Sequence, residues 1–194
     1  MNRKYLLLLV AMLVAAAGCQ QPAGQTSDTA TTPPPAAEQE SQEIAQTAPA
    51  LLPNLREPGE GIISGGQPTP EHLQAARDAG YRTVINLRLP EEKGVANEVE
   101  IVSGLGMEYV SLPIAGSAGL TRENTEAFAL ALETAEYPIV LHCGSGNRIG
   151  ALFALKAFWI DGKSAEEALR IGIDSGMTRL EGAVKELLEA ESGT

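Results

Sequence analysis

From residue 55 onward, short apolar runs alternate with longer amphipathic stretches. Four such runs are typical of buried strands, and they cover residues 62–63, 83–88, 108–112 and 139–142. Between and after them, apolar residues recur at helical spacing, with N-capping residues or glycines at the ends. These stretches predict helices over residues 70–79, 91–105, 121–135 and 148–160, and two more that open with capping boxes at Ser164 with Glu167 and at Thr178 with Glu181. Strands that alternate with helices predict an α/β fold, with a mostly parallel sheet of four to five strands covered by helices on both faces.

The first eighteen residues have a different pattern, which is not part of this fold. A basic start at Arg3 and Lys4 precedes ten apolar residues, a run shorter than the roughly 20 that a membrane-spanning helix needs. Small residues then lead to Cys19, and the whole segment resembles a bacterial lipoprotein signal, in which Cys19 is lipidated. Ordinary signal cleavage after Ala17 is the alternative. Because Gln20 follows the cysteine, we expect an exported lipoprotein on the outer membrane, facing the periplasm or the cell surface.

The composition of residues 19–54 predicts a disordered tether that joins this signal (residues 1–18) to the folded domain (residues 55–194). The stretch after Cys19 has no aromatic residue, no Lys and no Arg, and it contains six of the twelve prolines. Such a composition buries too little apolar surface to offset the conformational entropy that ordering would cost.

Charge and residue counts exclude several classes of function. From residue 55 onward, 12 basic residues stand against 21 acidic ones, a net charge of −9, which argues against nucleic acid as a partner. Two cysteines exclude a disulfide framework or a cysteine-rich zinc site. With only His72 and His142, a multi-histidine metal centre is not expected either, and no metal or organic cofactor is predicted.

The candidate chemistry lies between the last predicted strand and the helix that follows it, in the segment His142-Cys143-Gly144-Ser145-Gly146-Asn147-Arg148. In an α/β sheet this junction lies at the carboxyl edge, where ligands bind. Two glycines allow the backbone N–H groups to turn inward, and with the helix N-terminus they form an anion site. Arg148 adds a planar fork for two oxygens, and this positive environment favours the thiolate of Cys143, a nucleophile. The alternative for Cys143 alone is a small buried core residue.

The pattern His142-Cys143-x-x-Gly146-x-Arg148, with the strand Val84-Ile85-Asn86-Leu87-Arg88 upstream, resembles the protein-tyrosine and dual-specificity phosphatase superfamily. In particular it is similar to the phosphatase-like domain of bacterial beta-lactamase hydrolase-like proteins, over about residues 60–160. The resemblance implies a dual-specificity-phosphatase-like fold and a phosphocysteine formed on Cys143. It also implies that Arg148 and the N–H groups of Gly144, Ser145, Gly146 and Asn147 bind the phosphoryl oxygens. The implied substrate is a small phosphorylated compound or a phosphoprotein.

Three departures keep other functions open. Four residues separate Cys143 from Arg148, whereas cysteine phosphatases usually have five. The short gap also occurs in rhodanese-type sulfurtransferases and in the phosphatase-like branch named above. Ile149 replaces the usual Ser or Thr, and residues 112–120 contain no acid to protonate a leaving group. A sulfurtransferase with a Cys143 persulfide, or a module that binds phosphate or sulfate without catalysis, therefore remain as alternatives.

Five neighbouring side chains have roles that are expected or still open at this stage. Glu91 and Glu92 could supply an acid, but we expect them to begin a helix, where acids suit the positive end. Arg88 either widens the anion site or pairs with one of these acids. His142 either tunes the thiol or packs at the strand end, and Asn147 is expected to supply loop geometry rather than a catalytic side chain.

Overall fold

A computed structural model describes residues 51–192 of the chain. The predicted signal, Cys19 and the tether as far as residue 50 lie outside the described residues. Over residues 51–192, no helix combines the length and the apolar character needed to cross a bilayer.

A five-stranded sheet forms the centre of the domain. Its strands are β1 (Arg56–Gly59), β2 (Ile62–Gly65), β3 (Thr83–Asn86), β4 (Glu108–Ser111) and β5 (Ile139–His142). Their spatial order is β1-β2-β5-β3-β4, and only the β1–β2 pair is antiparallel. The predicted α/β fold with a mostly parallel sheet is confirmed. The edge strand β1 was not predicted, because its sequence Arg-Glu-Pro-Gly has no alternation of apolar and polar residues.

Six helices and one 3₁₀ turn cover this sheet. They are α1 (Pro70–Asp78), α2 (Glu98–Gly104), the 3₁₀ turn Gly116–Gly119, α3 (Arg122–Thr134), α4 (Asn147–Trp159), α5 (Ala165–Asp174) and α6 (Glu181–Ser192). Alternate residues of the central strands serve opposite faces. Ile85 and Leu141 pack into one apolar cluster with residues of α3 to α6, whereas Val84 and Val140 pack into a second with residues of α1 and α2. Helices on both faces therefore follow from strands that are buried on both sides.

Two predicted helix starts are wrong. The helix expected from residue 91 begins at Glu98, since residues 89–97 form turns in which Gly94 has φ +96°. Helix α6 begins at Glu181, and the hydroxyl of Thr178, expected to cap it, donates to Asn147 Oδ1 at 3.1 Å instead. The other capping box forms as predicted, because Ser164 accepts from the Glu167 N–H group while the Glu167 carboxylate accepts from the Ser164 N–H group.

The segment before β1 packs against the sheet. Leu52 is buried in the cluster on the α1–α2 side, and the Pro53 carbonyl accepts a 2.7 Å hydrogen bond from the Gly66 N–H group. These contacts place residues 52–54 beside the end of β2, close to the loop that follows β5.

Candidate active site

Cys143 follows β5, which lies between β2 and β3 in the middle of the sheet. Its N–H group continues the pairing with β2 by donating to the Gly65 carbonyl at 3.2 Å. Its Sγ accepts a 3.1 Å hydrogen bond from the Gly146 N–H group. The residue is only 1% exposed, yet it lines a hollow of about 430 Å³. The sulfur therefore lies at the floor of a site at the carboxyl edge of the sheet, as the position of the loop predicted.

Gly146 turns the loop back over this sulfur. Its φ of +91° and ψ of −17° lie in the left-handed region, which a residue without Cβ adopts at little cost. Helix α4 begins directly after it, at Asn147. The N–H groups of the first turn of α4 have no partner within the helix and give this end a partial positive charge. The loop and the helix start together form a place for an anion next to Cys143.

The guanidinium of Arg148 is held by two strand ends and one carboxylate. Nη1 donates to the carbonyl of Leu87 at 3.2 Å and to that of Ile114 at 3.0 Å. Glu92 accepts from both terminal nitrogens, at 2.6 Å from Nη1 and 2.9 Å from Nη2. Leu87 follows β3 and Ile114 follows β4, so three elements fix the orientation of the fork.

The remaining donors of Arg148 have no oxygen acceptor in residues 51–192 and lie next to the Cys143 sulfur. Of the five N–H donors of an arginine, both on Nη1 and one on Nη2 are committed to these acceptors. Nε and the second hydrogen of Nη2 donate to no oxygen in residues 51–192. The hydrogen bond with Glu92 raises the pKa of Arg148, and its electrostatic interaction and hydrogen bond with Cys143 raise the pKa further. The guanidinium thus lies beside the sulfur, and the edge formed by Nε and Nη2, which has no oxygen acceptor, has the geometry to bind two oxygens of a ligand.

Glu92 is the acid at this site, and it belongs to the turns before α2 rather than to the helix that we expected. Its carboxylate also accepts from the Leu89 N–H group at 2.8 Å and from Arg88 Nε at 3.0 Å. The hydrogen bond from Arg148 is the main reason that the pKa of Glu92 is lowered to about 2. Glu92 is therefore ionised at neutral pH and holds no proton to give to a leaving group.

Arg88 pairs with Glu92 and does not line the hollow over Cys143. Its Nη1 donates to the Lys93 carbonyl at 2.8 Å and contacts the Gln67 side chain. Of the two roles left open for Arg88, the structure shows pairing with an acid. Arg88 thereby helps to hold Glu92, which in turn holds Arg148.

His142 and Glu98 form a buried polar centre behind the loop. Both side chains are almost fully buried, and His142 Nε2 lies 3.2 Å from Glu98 Oε1 without hydrogen-bond geometry, while Nδ1 has no partner among residues 51–192. The Glu98 carboxylate accepts from Asn86 Nδ2 at 2.9 Å, from Gln67 Nε2 at 2.9 Å and from the Tyr109 hydroxyl at 3.2 Å. The histidine is a packed strand-end residue in contact with an acid that the sequence did not single out.

Asn147 has a structural side chain. Its Oδ1 accepts from the N–H group of Thr178 at 2.8 Å, the hydroxyl of Thr178 at 3.1 Å and the N–H group of Leu180 at 3.3 Å. These bonds bring Arg179 and Leu180 to the rim of the hollow over Cys143. Both rim residues were missed, because nothing in the pattern of residues 177–180 points to a site.

The segment after β4 contributes little chemistry. Of residues 112–120, only Gly116 lines the hollow, and Ser117 is exposed in the 3₁₀ turn. Over residues 51–192, no three His, Cys, Asp or Glu side chains are grouped so that they could hold a metal ion. The groups that the described residues bring together at this hollow are a buried sulfur, the N–H groups at the start of α4 and a guanidinium held by three elements.

Comparison with known proteins agrees with this geometry. The family model described as beta-lactamase hydrolase-like protein, phosphatase-like domain, matches residues 54–158. Beta-lactamase hydrolase-like proteins from two strains of Xylella fastidiosa are 36% identical over 109 residues, which are 54% of this chain and 25% of theirs. The chain thus spans about a quarter of the length of the curated relatives that it matches.

Solved structures share the fold at low identity. A phosphatase-like protein from Neisseria meningitidis matches with a TM-score of 0.58 and 21% identity, covering 70% of this chain and 96% of that one. TpbA from P. aeruginosa, solved as a Cys-to-Ser variant in complex with pTyr, matches with a TM-score of 0.54 and 17% identity, covering 73% and 91%. These likenesses show the fold. Because the family model covers more than half of the sequence, this chain belongs to the family of phosphatase-like domains found in beta-lactamase hydrolase-like proteins.

Proposed function

We propose that the domain is a cysteine-dependent phosphatase that acts on phosphomonoesters through a phosphocysteine. The observation that carries the proposal is the Nε–Nη2 edge of Arg148, which lies beside Cys143 without an oxygen acceptor, together with the uncommitted N–H groups at the start of α4. A tetrahedral dianion bound there would meet the guanidinium on one side and the thiolate below.

The chemistry takes two displacements at phosphorus. In the first, the thiolate of Cys143 attacks, an S–P bond forms, and the P–O bond to the leaving group breaks while Arg148 and the loop N–H groups bind the equatorial oxygens. The leaving oxygen takes its proton from water, because Glu92 is ionised and residues 112–120 contain no acid. In the second, water attacks phosphorus, the S–P bond breaks, and inorganic phosphate leaves while the sulfur returns to the thiolate.

This scheme favours substrates with good leaving groups. Loss of a general acid typically costs about 10²–10⁴ in rate, and that cost falls most heavily on strongly basic leaving groups. Phosphotyrosine-like and other aryl phosphates are the substrates that we propose, whether free or on a protein.

One comparison separates the phosphatase from its alternatives. The full chain carrying Cys19→Ser, which cannot be lipidated, is assayed under reducing conditions with p-nitrophenyl phosphate and, in parallel, with thiosulfate and cyanide. We expect phosphate release that Cys143→Ser abolishes and that Arg148→Lys strongly reduces, since lysine lacks the fork. Thiocyanate formation that depends on Cys143, without phosphate release, would instead identify a sulfurtransferase. Inactivity in both assays with measurable phosphate binding would identify a binding module.

We also propose that the domain is anchored to the outer membrane through a lipid on Cys19, facing the periplasm or the cell surface. The support is the basic, apolar and small-residue pattern before Cys19, followed by the tether composition. In cells fed an alkyne fatty acid, the full chain should become labelled and Cys19→Ala should not. Cys143→Ala is the matched control and should label like wild type; label that persists in Cys19→Ala would contradict the anchor.

A further inference from the structure

A second hollow adjoins the one over Cys143. It has a volume of about 510 Å³ and shares Ser145 and Arg179 with the first hollow. Its other lining residues come from the segment that enters β1, from the loop before α4, and from the end of α5 and the turn after it: Asn54, Arg56, Gly146, Ile173, Gly176, Met177 and Thr178. Ser145 and Arg179 therefore lie between the hollow over the sulfur and the one that reaches the start of β1.

The charge of the second hollow opposes that of the domain around it. Arg56 and Arg179 line it, and no Asp or Glu does. The described Arg56 side chain bonds only to the Leu55 carbonyl, at 3.0 Å, and within residues 51–192 Arg179 has no ion pair or hydrogen bond. The folded domain has 21 acidic and 12 basic residues, so its overall field repels anions. Two guanidinium groups without an ion pair make this hollow positively charged within an acidic domain.

The fold ties both arginines to the catalytic loop. Arg179 lies between Thr178 and Leu180, whose backbone N–H groups both donate to Asn147 Oδ1. Arg56 follows the segment in which the Pro53 carbonyl binds the Gly66 N–H group, and Gly66 forms a bridge with Ser145. The backbone from which each arginine side chain extends is therefore held close to the loop after β5, although both side chains are exposed.

We propose that this second hollow is a subsite for a second anionic group of the substrate. The ligand class is a phosphomonoester that carries a carboxylate or a further phosphate on the part of the molecule next to the reacting phosphoryl group. The inference rests on the proposed function for the position of that phosphoryl group. Arg179 borders both hollows and Arg56 lines only the second, so the two are specificity-determining residues for such a substrate.

The test uses peptides whose leaving group is constant. Acetylated and amidated pentapeptides centred on phosphotyrosine carry two Glu before it, two Glu after it, or Gln at all four flanking places. Values of kcat/KM are measured with the full chain carrying Cys19→Ser, and binding of the same peptides is measured with Cys143→Ser added. The variants are Arg179→Gln and Arg56→Gln. Arg82→Gln is the control. Arg82 is exposed, as Arg56 and Arg179 are, but it precedes β3 and so lies at the amino edge of the sheet, opposite the carboxyl edge that carries the site.

We expect one of the Glu peptides to exceed the Gln peptide by about fivefold or more, as one or two partly exposed charge pairs allow. Arg179→Gln and Arg56→Gln should each reduce that ratio at least about threefold, whereas Arg82→Gln should keep it. Repeating the better Glu peptide with phosphoserine in place of Glu distinguishes a phosphate from a carboxylate as the second group.

The outcomes separate this subsite from the proposed function. Hydrolysis of all three peptides at equal kcat/KM, or a ratio that Arg82→Gln changes as much as Arg179→Gln, overturns the subsite and leaves the phosphatase standing. Preferential binding of a Glu peptide by the Cys143→Ser chain without hydrolysis by the active chain supports the subsite and overturns the phosphatase. Neither binding nor hydrolysis overturns both.

Discussion

Glu92 accepts hydrogen bonds from Nη1 and Nη2 of Arg148, and Nε of the same guanidinium donates to no oxygen in the described part of the chain. Glu92 therefore occupies the Nη1–Nη2 end of the guanidinium and leaves the Nε–Nη2 side for a ligand. Leu87 and Ile114 add carbonyl acceptors on Nη1, so the guanidinium has little freedom to rotate before substrate arrives. This arrangement pre-orients the group that the proposed reaction needs for its developing charge.

Glu92→Gln should lower kcat/KM for p-nitrophenyl phosphate about tenfold to hundredfold, because a misplaced binding group costs rate even when the nucleophile is intact. Glu91→Gln is the matched control, since Glu91 is exposed and, within residues 51–192, forms no hydrogen bond or ion pair with Arg148. Faster turnover in Glu92→Gln would mean that the carboxylate competes with substrate for Arg148 rather than positioning it.

The same pair predicts a pH dependence of stability. The pKa of Glu92 is lowered from 4.5 to about 2 in the folded chain, so its contribution is fully present above pH 4.5 and is lost as pH falls towards 2. At pH 7, Glu92→Gln should lower the free energy of unfolding by about 1–2 kcal/mol, discounted for partial exposure. Urea unfolding at several pH values should show this difference shrinking between pH 4.5 and pH 2. A difference that stays constant over that range would contradict the lowered pKa.

Much of the site can be predicted from local sequence, but the distant residues that hold it in place cannot. The apolar run before Cys143, the left-handed Gly146 and the apolar α4 predict the strand, the loop and the helix start because each acts on its own neighbours. Glu92 was assigned to a helix, since acids are common in a first turn, whereas its partner Arg148 lies 56 residues away along the chain. Such long-range pairing depends on how β3 and β5 lie side by side, which local patterns do not encode.

The rim residues show the same limit. Thr178 and Glu181 have the spacing of a capping box, and that local rule loses to the hydrogen bonds that Asn147 makes across the fold. Arg179 is brought to the site only through this tertiary contact. Conversely, the capping box at Ser164 forms as predicted, because no stronger partner competes for its side chain.

Gly150→Ala should strongly destabilise the domain. A Cβ at Gly150 in α4 would lie 2.2 Å from the Met177 nitrogen and 2.4 Å from the Gly172 carbonyl oxygen, both backbone atoms that cannot rotate away. We expect a loss of about 2–3 kcal/mol in the free energy of unfolding. Gly182→Ala in α6 is the control, because nothing lies within 4 Å of its Cβ, and it should stabilise by about 0.5–1 kcal/mol. Equal thermal midpoints for the two variants would show that α4 and α5 are not so closely packed.

Glu98→Ala should destabilise the chain by about 2–4 kcal/mol, because it removes an acceptor of the buried Asn86 amide and leaves the buried imidazole of His142 without its acid. Glu98→Gln keeps an acceptor oxygen and should cost less. Glu100→Ala, two residues along the same helix but exposed, should change stability by less than about 0.5 kcal/mol. The free energies of unfolding of the three variants, measured by chemical denaturation, test whether the loss is largest for Glu98→Ala. A small loss for Glu98→Ala would mean that water replaces the acid.

The missing general acid predicts a steep dependence of rate on the leaving group. Glu92 stays ionised down to about pH 2, and no acid lies in residues 112–120, so the leaving oxygen departs without a proton from the protein. Across a series of substituted phenyl phosphates, kcat/KM should fall steadily as the phenol becomes more basic, and alkyl phosphates should react about 10²–10⁴ times more slowly than aryl ones. Glu92→Gln should lower all members of the series by a similar factor, because it acts on Arg148 and not on the leaving group. A flat series in the wild type that becomes steep in Glu92→Gln would show that Glu92 gains a proton once phosphate takes over Arg148, and would make it the acid after all.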